Sequence, residues 1–358
     1  MLSEFIHSEL QQLLSANLLR VQKVIERIRG PFVTIDGKEL LSFCSNDYLG
    51  IGQDPRLAEA AAFAAKDFGW GSGSARNLSG TTKWHVGLEN AIAHFKGTPA
   101  AIFLPSGYMA NLALVTALAG PDTTILSDEL NHASLIDACR LSRARVEVYP
   151  HGDVAAVERL LKAEGSRKFI LTDTVFSMDG DLAPLEALRK LGADVVVDDV
   201  HGLGVFGPEG RGNIDAPFQS GNLAKAAGGM GGFVAGPTEL IELIRSKGRA
   251  FLFTTAPPAA VCAAGIAALS IVRKADDRRK RLWENIRILG AKSPIHTVIL
   301  GSNDRAMAAS RKLYDLGFFV PAIRPPTVAP GTARLRVTVT AMHEREHVEA
   351  LVEALRKL

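Results

Sequence analysis

The chain has 358 residues, enough by length for about two domains and a sizeable core. Hydrophobic residues at 47% and charged residues at 22% lie near the globular average, which excludes a disordered, collagen-like or disulfide-scaffold protein. Lys+Arg 41 against Asp+Glu 38 leaves +3, and the one basic run, Arg273 to Arg281, is broken by Asp276 and Asp277, so nucleic acid is not an expected partner. In chain order, Leu10, Leu14, Val21, Ile25 and Ile28 fall at helical spacing and predict a helix to about Arg29. GPFVTIDGKELLSF then alternates like a hairpin. The N-terminus carries acids and no basic leader region, and no apolar run reaches the ~18 residues of a membrane span. Cys44, Cys139 and Cys262 form no CxxC pair, which argues against a disulfide framework or a zinc site. A cytoplasmic location without membrane contact is expected.

From Ala100 onward, short apolar runs (AAIFLPSG, TTILSD, RVEVYP, KFILTDTVF, ADVVVDD) alternate with helical stretches such as NLALVTALAG and VAAVERLLKAEG. That order predicts an α/β domain with a mostly parallel sheet covered on both faces. A long helical stretch, PPAAVCAAGIAALSIVRKA, leads to HTVILG, a helix from about Asp304, the strand RLRVTVTA and a last helix, read as a smaller α+β domain. The expected divisions are residues 1–43 (helix and small sheet), 44–255 (large domain) and 256–358 (small domain).

Two motif matches point elsewhere and are set aside on physical grounds. Gly202-x-Gly204-x-x-Gly207 follows a strand as a dinucleotide fingerprint should, but Pro208, Gly210 and Gly212 break the helix that must come next. His343-Glu344-Arg345-Glu346-His347 reads as HExxH at the start of the last helix, yet only eleven residues follow His347 and the downstream acid Glu349 shares that short helix. A charged, solvated first helical turn is expected there, with no metal.

The stronger signal lies at the strand ends, the ligand-binding edge of an open α/β sheet. VVVDDVHGLG ends a buried strand at Asp198, Asp199 and His201, where a carboxylate needs a cationic or proton-donating partner to offset its desolvation. Alternation sets Asp199 on the opposite face, so its replacement is expected to harm catalysis much less than that of Asp198. Lys225 lies among small residues and glycines that let a planar cofactor approach. A strand-end Asp followed by such a Lys is the pairing expected for pyridoxal phosphate, Asp on the ring nitrogen and Lys on the aldehyde. Ser106, Gly107 and Tyr108, where a strand turns into a helix, would present backbone N–H groups to the phosphate. His132 follows another strand end, where it could stack on the ring, and Ser177 follows a third, within reach of a phenolic oxygen.

SNDYLG at 45–50, GSGSARNLSGT at 71–81, HASL at 132–135, VFSMDGDLAPL at 175–185, DDVHGLGVFGPEGRG at 198–212, LAKAAGG at 223–229 and AIRPPTVAPGTARLRVTVTAMHE at 322–344 together resemble the α-oxoamine synthases. The resemblance runs in order from about residue 15 to the C-terminus. It implies the aspartate-aminotransferase-like fold (type I of pyridoxal-phosphate enzymes) and the decarboxylative condensation of an amino acid with an acyl thioester, in a homodimer whose site lies at the subunit interface. By resemblance, Lys225 bonds the cofactor aldehyde, Asp198 pairs with the ring nitrogen, His201 and Ser177 contact the phenolic oxygen, and His132 stacks on the ring. Gly107 and Tyr108 would take the phosphate, aided by Thr254 from the neighbouring subunit. Arg20 resembles an arginine near the acyl entrance, Asn46 a substrate-side asparagine, and Arg336 the carboxylate clamp, with Arg324 a second candidate. Asn222 departs from the Ser or Thr usual three residues before the lysine as a phosphate ligand, and the connections Arg211 to Lys225 and Leu289 to His296 are shorter than usual. RPPTV beside GTARLR is more similar to the biotin-pathway member, which joins L-alanine to a pimeloyl thioester of coenzyme A or a carrier protein. The alternatives are a 2-amino-3-ketobutyrate CoA ligase, a serine palmitoyltransferase, or a non-catalytic relative.

Overall fold

The computed structural model describes residues 1–163, 165 and 167–358. The chain divides into two compact units, one of residues 47–177 and 181–279, the other of residues 1–46, 178–180 and 280–358. The sequence reading set the change of unit at 255 and kept residues 1–43 apart. Contacts instead carry the larger unit through the helix Ala259–Arg273 to Arg279 and join the N-terminal segment to the C-terminal one.

In the larger unit a seven-stranded sheet runs in the order Ala100–Leu104, Gly232–Gly236, Phe218–Asn222, Asp194–Asp198, Arg167–Asp173, Thr123–Asp128 and Arg145–Tyr149. Only Gly232–Gly236 opposes its neighbours; the remaining pairs are parallel. The central strands Thr123–Asp128, Arg167–Asp173 and Asp194–Asp198 carry apolar runs without alternation because both faces are covered. Ile125, Leu171 and Val196 face a cluster built on the helices Gly107–Leu118 and Ala133–Ser142, while the adjacent Leu126, Ile170 and Val197 face a second cluster with Val157 and Leu188. Each such side chain, fully buried, contributes roughly 1.5–3 kcal/mol. The helix expected across VAAVERLLKAEG is Val154–Lys162; Glu164 lies outside the described residues.

The smaller unit holds two sheets. Arg27–Arg29, Phe32–Ile35 and Lys38–Ser42 form an antiparallel meander, hinged at a two-residue Asp36-Gly37 turn and extended by Phe318–Phe319 parallel to Lys38–Ser42. Ile295–Gly301, Ala333–Thr338 and Ala322–Ile323 form the other, and Arg345–Arg356 closes the chain. The helix predicted to reach Arg29 is Leu2–Ser15 alone, with none of its residues buried. Asn17 takes a left-handed φ of 53°, and Ile28 sits in a strand opposite Val33.

Candidate active site

The C-terminal ends of adjacent parallel strands bring Asp173, Asp198 and Asn222 to one edge of the large sheet. A cavity of about 70 Å3 opens there, lined by Gly107, Tyr108, Asn111, His132, Ser134, Asp173, Asp198, Val200, His201, Asn222 and Lys225. Segments as far apart as residues 107 and 225 therefore meet at one point, and every lining residue belongs to the larger unit.

Asp198, 4% exposed, ends its strand with the carboxylate held from two sides. The Val200 N–H donates to Oδ1 at 2.9 Å and the Asn111 amide donates to Oδ2 at 2.6 Å. Asn111 also donates to Ser134 Oγ at 2.8 Å and accepts from Ser220 Oγ at 2.5 Å. Asn111 escaped sequence reading because an asparagine in the first turns of an apolar helix gives no periodic signal.

His132 caps the helix Ala133–Ser142, its Nδ1 accepting from the Ser134 N–H at 3.3 Å and lying 2.7 Å from Ser134 Oγ. Desolvation by the surrounding protein holds its pKa below the usual imidazole range, and Lys225 acts in the same direction against the opposing pull of Asp198. Asp173, also missed from the sequence, accepts from the His132 N–H at 2.8 Å. Burial, reinforced by the Asp198 charge, pushes its carboxyl well above the usual range. On the other side, His201 Nδ1 lies 2.5 Å from the hydroxyl of the fully buried Tyr48.

A third element points to an anion. Ser106 is the N-cap of the helix Gly107–Leu118 and spends its side chain on the Met109 N–H at 3.2 Å. The first N–H groups of a twelve-residue helix thus face the cavity wall at Gly107 and Tyr108, where the positive end of the helix dipole favours a phosphate. A Cβ on Gly232 would run into the Ser106 carbonyl and the Gly107 nitrogen, so only glycine fits beside this turn. Asn222 packs at the same spot, its Nδ2 placed 3.1 Å from where a Cβ of Gly107 would stand. The donor set therefore fits a phosphate-bearing pyridine aldehyde: amides at the helix start, a buried carboxylate beneath, and an amine, Lys225, at the rim.

Of the residues expected from sequence, Gly107, Tyr108, His132, Asp198, His201, Asn222 and Lys225 line the cavity; Ser106, Ser177 and Thr254 are not among its lining residues. Thr254 follows the short helix Arg249–Leu252, beside a bridge between Thr255 and Ala75. Within the smaller unit, Arg336, 6% exposed, donates to Asn46 Oδ1 at 3.1 Å and to Thr338 Oγ1 at 3.0 Å. Arg20 donates to the carbonyls of Arg324 and Pro325 at 3.1 and 3.2 Å, and Arg324 donates to the Asn17 carbonyl.

One expectation is incomplete and one needs correction. Asp199 does turn away from Asp198, but into a closed ion pair: Lys96 Nζ sits 2.7 Å from Oδ2, with both side chains almost wholly buried. Thr174 Oγ1 and the Asn213 N–H donate to the same carboxylate, and Cβ atoms at Gly202 or Gly212 would overlap it. The glycine-rich run thus wraps an internal carboxylate, and replacing Asp199 costs stability, which the sequence did not announce. In the HExxH segment, the helix begins at Arg345, so His343 precedes it; rather than solvated, it is 1% exposed and stacked on Phe43 at 4.3 Å. Its Nδ1 accepts from the Thr340 N–H and its Nε2 reaches the Ser42 carbonyl. No cluster of three metal-ligating side chains occurs among the described residues, nor any helix long and apolar enough to cross a membrane.

A mostly parallel sheet with a lysine, a strand-end aspartate and a helix start at its C-terminal edge defines the class. The chain belongs to the aminotransferase class I and II family, which matches residues 38–355, and within it to the α-oxoamine synthases. It is 43% identical to the 8-amino-7-oxononanoate synthase of Marinobacter nauticus, over 98% of this chain and 95% of that one. The synthase of Methylobacillus flagellatus is 42% identical over 100% and 96%. Among solved structures, serine palmitoyltransferase with PLP superposes with a TM-score of 0.92 at 31% identity, over 100% of this chain and 98% of the other.

Proposed function

We propose that the protein condenses L-alanine with a pimeloyl thioester, releasing CO2 and the free thiol, to form 8-amino-7-oxononanoate for biotin biosynthesis. The observation that carries this reading is the meeting of Lys225, Asp198, His132, His201 and the Gly107 helix start in one cavity of the larger unit. The names of the full-length relatives support the choice of substrate.

When bound, pyridoxal phosphate supplies an electrophilic aldehyde and an electron-accepting ring. Lys225 Nζ would hold the aldehyde and, once displaced by the amino acid, take the proton from Cα and later return one. The Asp198 carboxylate would hold the proton on the ring nitrogen. His132 would cover the ring face, His201 and Ser177 would meet the phenolic oxygen, and the amides of Gly107 and Tyr108, with Asn222, would bind the phosphate. Arg336, with Asn46, is proposed to hold the substrate carboxylate as a two-pronged donor. Arg324 stands second, and Arg20 is placed near the acyl chain. Two copies are proposed to assemble in the cytoplasm, each receiving the partner's Thr254 at its phosphate.

The test is a panel of L-alanine, glycine and L-serine against pimeloyl, acetyl and palmitoyl thioesters, followed by CO2 release and mass spectrometry of the product. L-Alanine with the pimeloyl donor is expected to turn over fastest. Preference for glycine with acetyl, or L-serine with palmitoyl, would overturn the substrate assignment. Cofactor binding without turnover of any pair would favour a non-catalytic relative.

A further inference from the structure

Hydrogen-bond accounting around Asn111 is complete enough to place individual protons. The side chain is 1% exposed, so none of its groups is satisfied by bulk water. An amide has two N–H donors and one carbonyl acceptor. Asp198 Oδ2 at 2.6 Å takes one donor and Ser134 Oγ at 2.8 Å takes the other, while Ser220 Oγ, 2.5 Å from Oδ1, supplies the proton to the carbonyl. The reverse orientation would set a carbonyl oxygen against a carboxylate. Ser134 Oγ, having accepted from Asn111, has its own proton left for His132 Nδ1 at 2.7 Å. That nitrogen also receives the Ser134 N–H at 3.3 Å, so it carries no proton, and the ring is neutral with its proton on Nε2.

We propose that Asn111 is a positioning residue that serves both faces of the cofactor site at once, aiming the Asp198 carboxylate with one N–H and fixing His132 as the neutral Nε2–H tautomer through Ser134 with the other. The two effects belong together. A carboxylate that keeps the ring nitrogen protonated makes the ring cationic, and a charged imidazolium stacked on it would repel it. A neutral His132 does not. Ser220, on the strand beside that of Asp198, anchors the amide so that it cannot turn over. The lowered pKa of His132 agrees with this assignment.

This inference rests on the proposed cofactor, and its test separates the two. Wild type and Asn111→Ala, stripped of cofactor, are titrated with pyridoxal phosphate and with the analogue in which C–H replaces the ring nitrogen. Loss of one charge-assisted contact should weaken binding of pyridoxal phosphate by about tenfold, while affinity for the analogue changes less than about twofold. Equal losses for both ligands would reduce Asn111 to general packing and overturn the proposal. Failure of the wild type to bind pyridoxal phosphate would instead overturn the proposed function. Should Asn111→Ala not fold, Ser220→Ala removes only the anchor and should give the same selective loss, smaller in size; equal losses there would again reject it. In wild-type protein with 15N-labelled histidine at neutral pH, His132 should show a protonated Nε2 and a bare Nδ1; an Nδ1–H or a cationic ring would reject the relay.

Discussion

Two neighbouring aspartates show how one register position separates chemistry from stability. Asp198 faces the cavity with neutral donors on both oxygens, so Asp198→Asn keeps the size but removes the charge and sets an amide N–H against one of those donors. Without the charge that holds a proton on the ring nitrogen, kcat of the folded, cofactor-loaded protein should fall by about a hundredfold or more, beyond any loss of stability. Asp199→Asn should do the reverse. It leaves the Lys96 ammonium buried without its counter-charge, which costs about 3–5 kcal/mol, read as a lowered denaturant midpoint while the folded fraction still turns over. If Asp199→Asn were the change that silenced a stable enzyme, the ring partner would be misassigned. Lys225→Ala should abolish turnover, and borohydride reduction of the cofactor-loaded wild type should label Lys225; label on another lysine would remove it from its role. Arg336→Ala should weaken L-alanine binding by about tenfold or more, since a desolvated two-pronged contact is worth roughly 1.5–3 kcal/mol, and leave cofactor content unchanged. An unchanged alanine dissociation constant would shift the clamp to Arg324.

At the level of elements, the antiparallel strand Gly232–Gly236 enters the sheet between the two strands that border the phosphate cradle, and Gly232 sits in register with both Leu104 and Asn222. Gly232→Ala would press a methyl group against the Ser106 carbonyl and the Gly107 nitrogen, both backbone atoms that cannot rotate away. The start of the helix must then shift, and affinity for pyridoxal phosphate should drop by about tenfold or more while helical content is retained; normal affinity would show that this turn does not bind the phosphate. Arg167–Asp173 and Asp194–Asp198 were legible in the sequence because burial on both faces makes them apolar runs bounded by polar strand ends, whereas Phe218–Asn222, with the mostly polar residues FQSGN, and Gly232–Gly236 were not. The lysine and aspartate stood out as polar residues at those ends. Asn111 and Asp173 did not, since their significance lies in which atoms they meet across the sheet. Periodicity misled where no packing backs it: Val21 and Ile25 keep helical spacing, yet the chain has already left the helix at Ser15 and turned at Asn17. The HExxH spacing likewise straddles a helix boundary, and the stacking of His343 on Phe43, some 300 residues away, is a contact that no local pattern announces.

For the molecule as a whole, two buried histidines, one in each unit, make the fold sensitive to acid. His85 is fully buried, its Nε2 placed 2.8 Å from the Pro257 carbonyl, and His343 is 1% exposed; burial lowers the pKa of each to about 4. Both are neutral in the fold. An unfolded histidine titrates near 6.5, so between that pH and about 4 the unfolded chain takes up protons that the folded chain refuses. Their contribution is complete above pH 6.5 and is lost progressively as the pH falls toward 4, by about 3 kcal/mol for each histidine. Asp173 and His151 have raised values and act in the opposite direction, gaining stability as they protonate, so the total slope mixes signs. A difference measurement isolates one group. In His343→Gln the amide still offers polar atoms to Thr340 and Ser42 but cannot titrate, and Asp173, His151 and His85 are common to both proteins. The unfolding free energy of wild type minus that of His343→Gln should therefore shrink by about 3 kcal/mol between pH 7 and pH 4. A gap that stays constant over that range would mean that His343 protonates in the folded state as readily as in the unfolded one, and that its stacking on Phe43 does not exclude the charge.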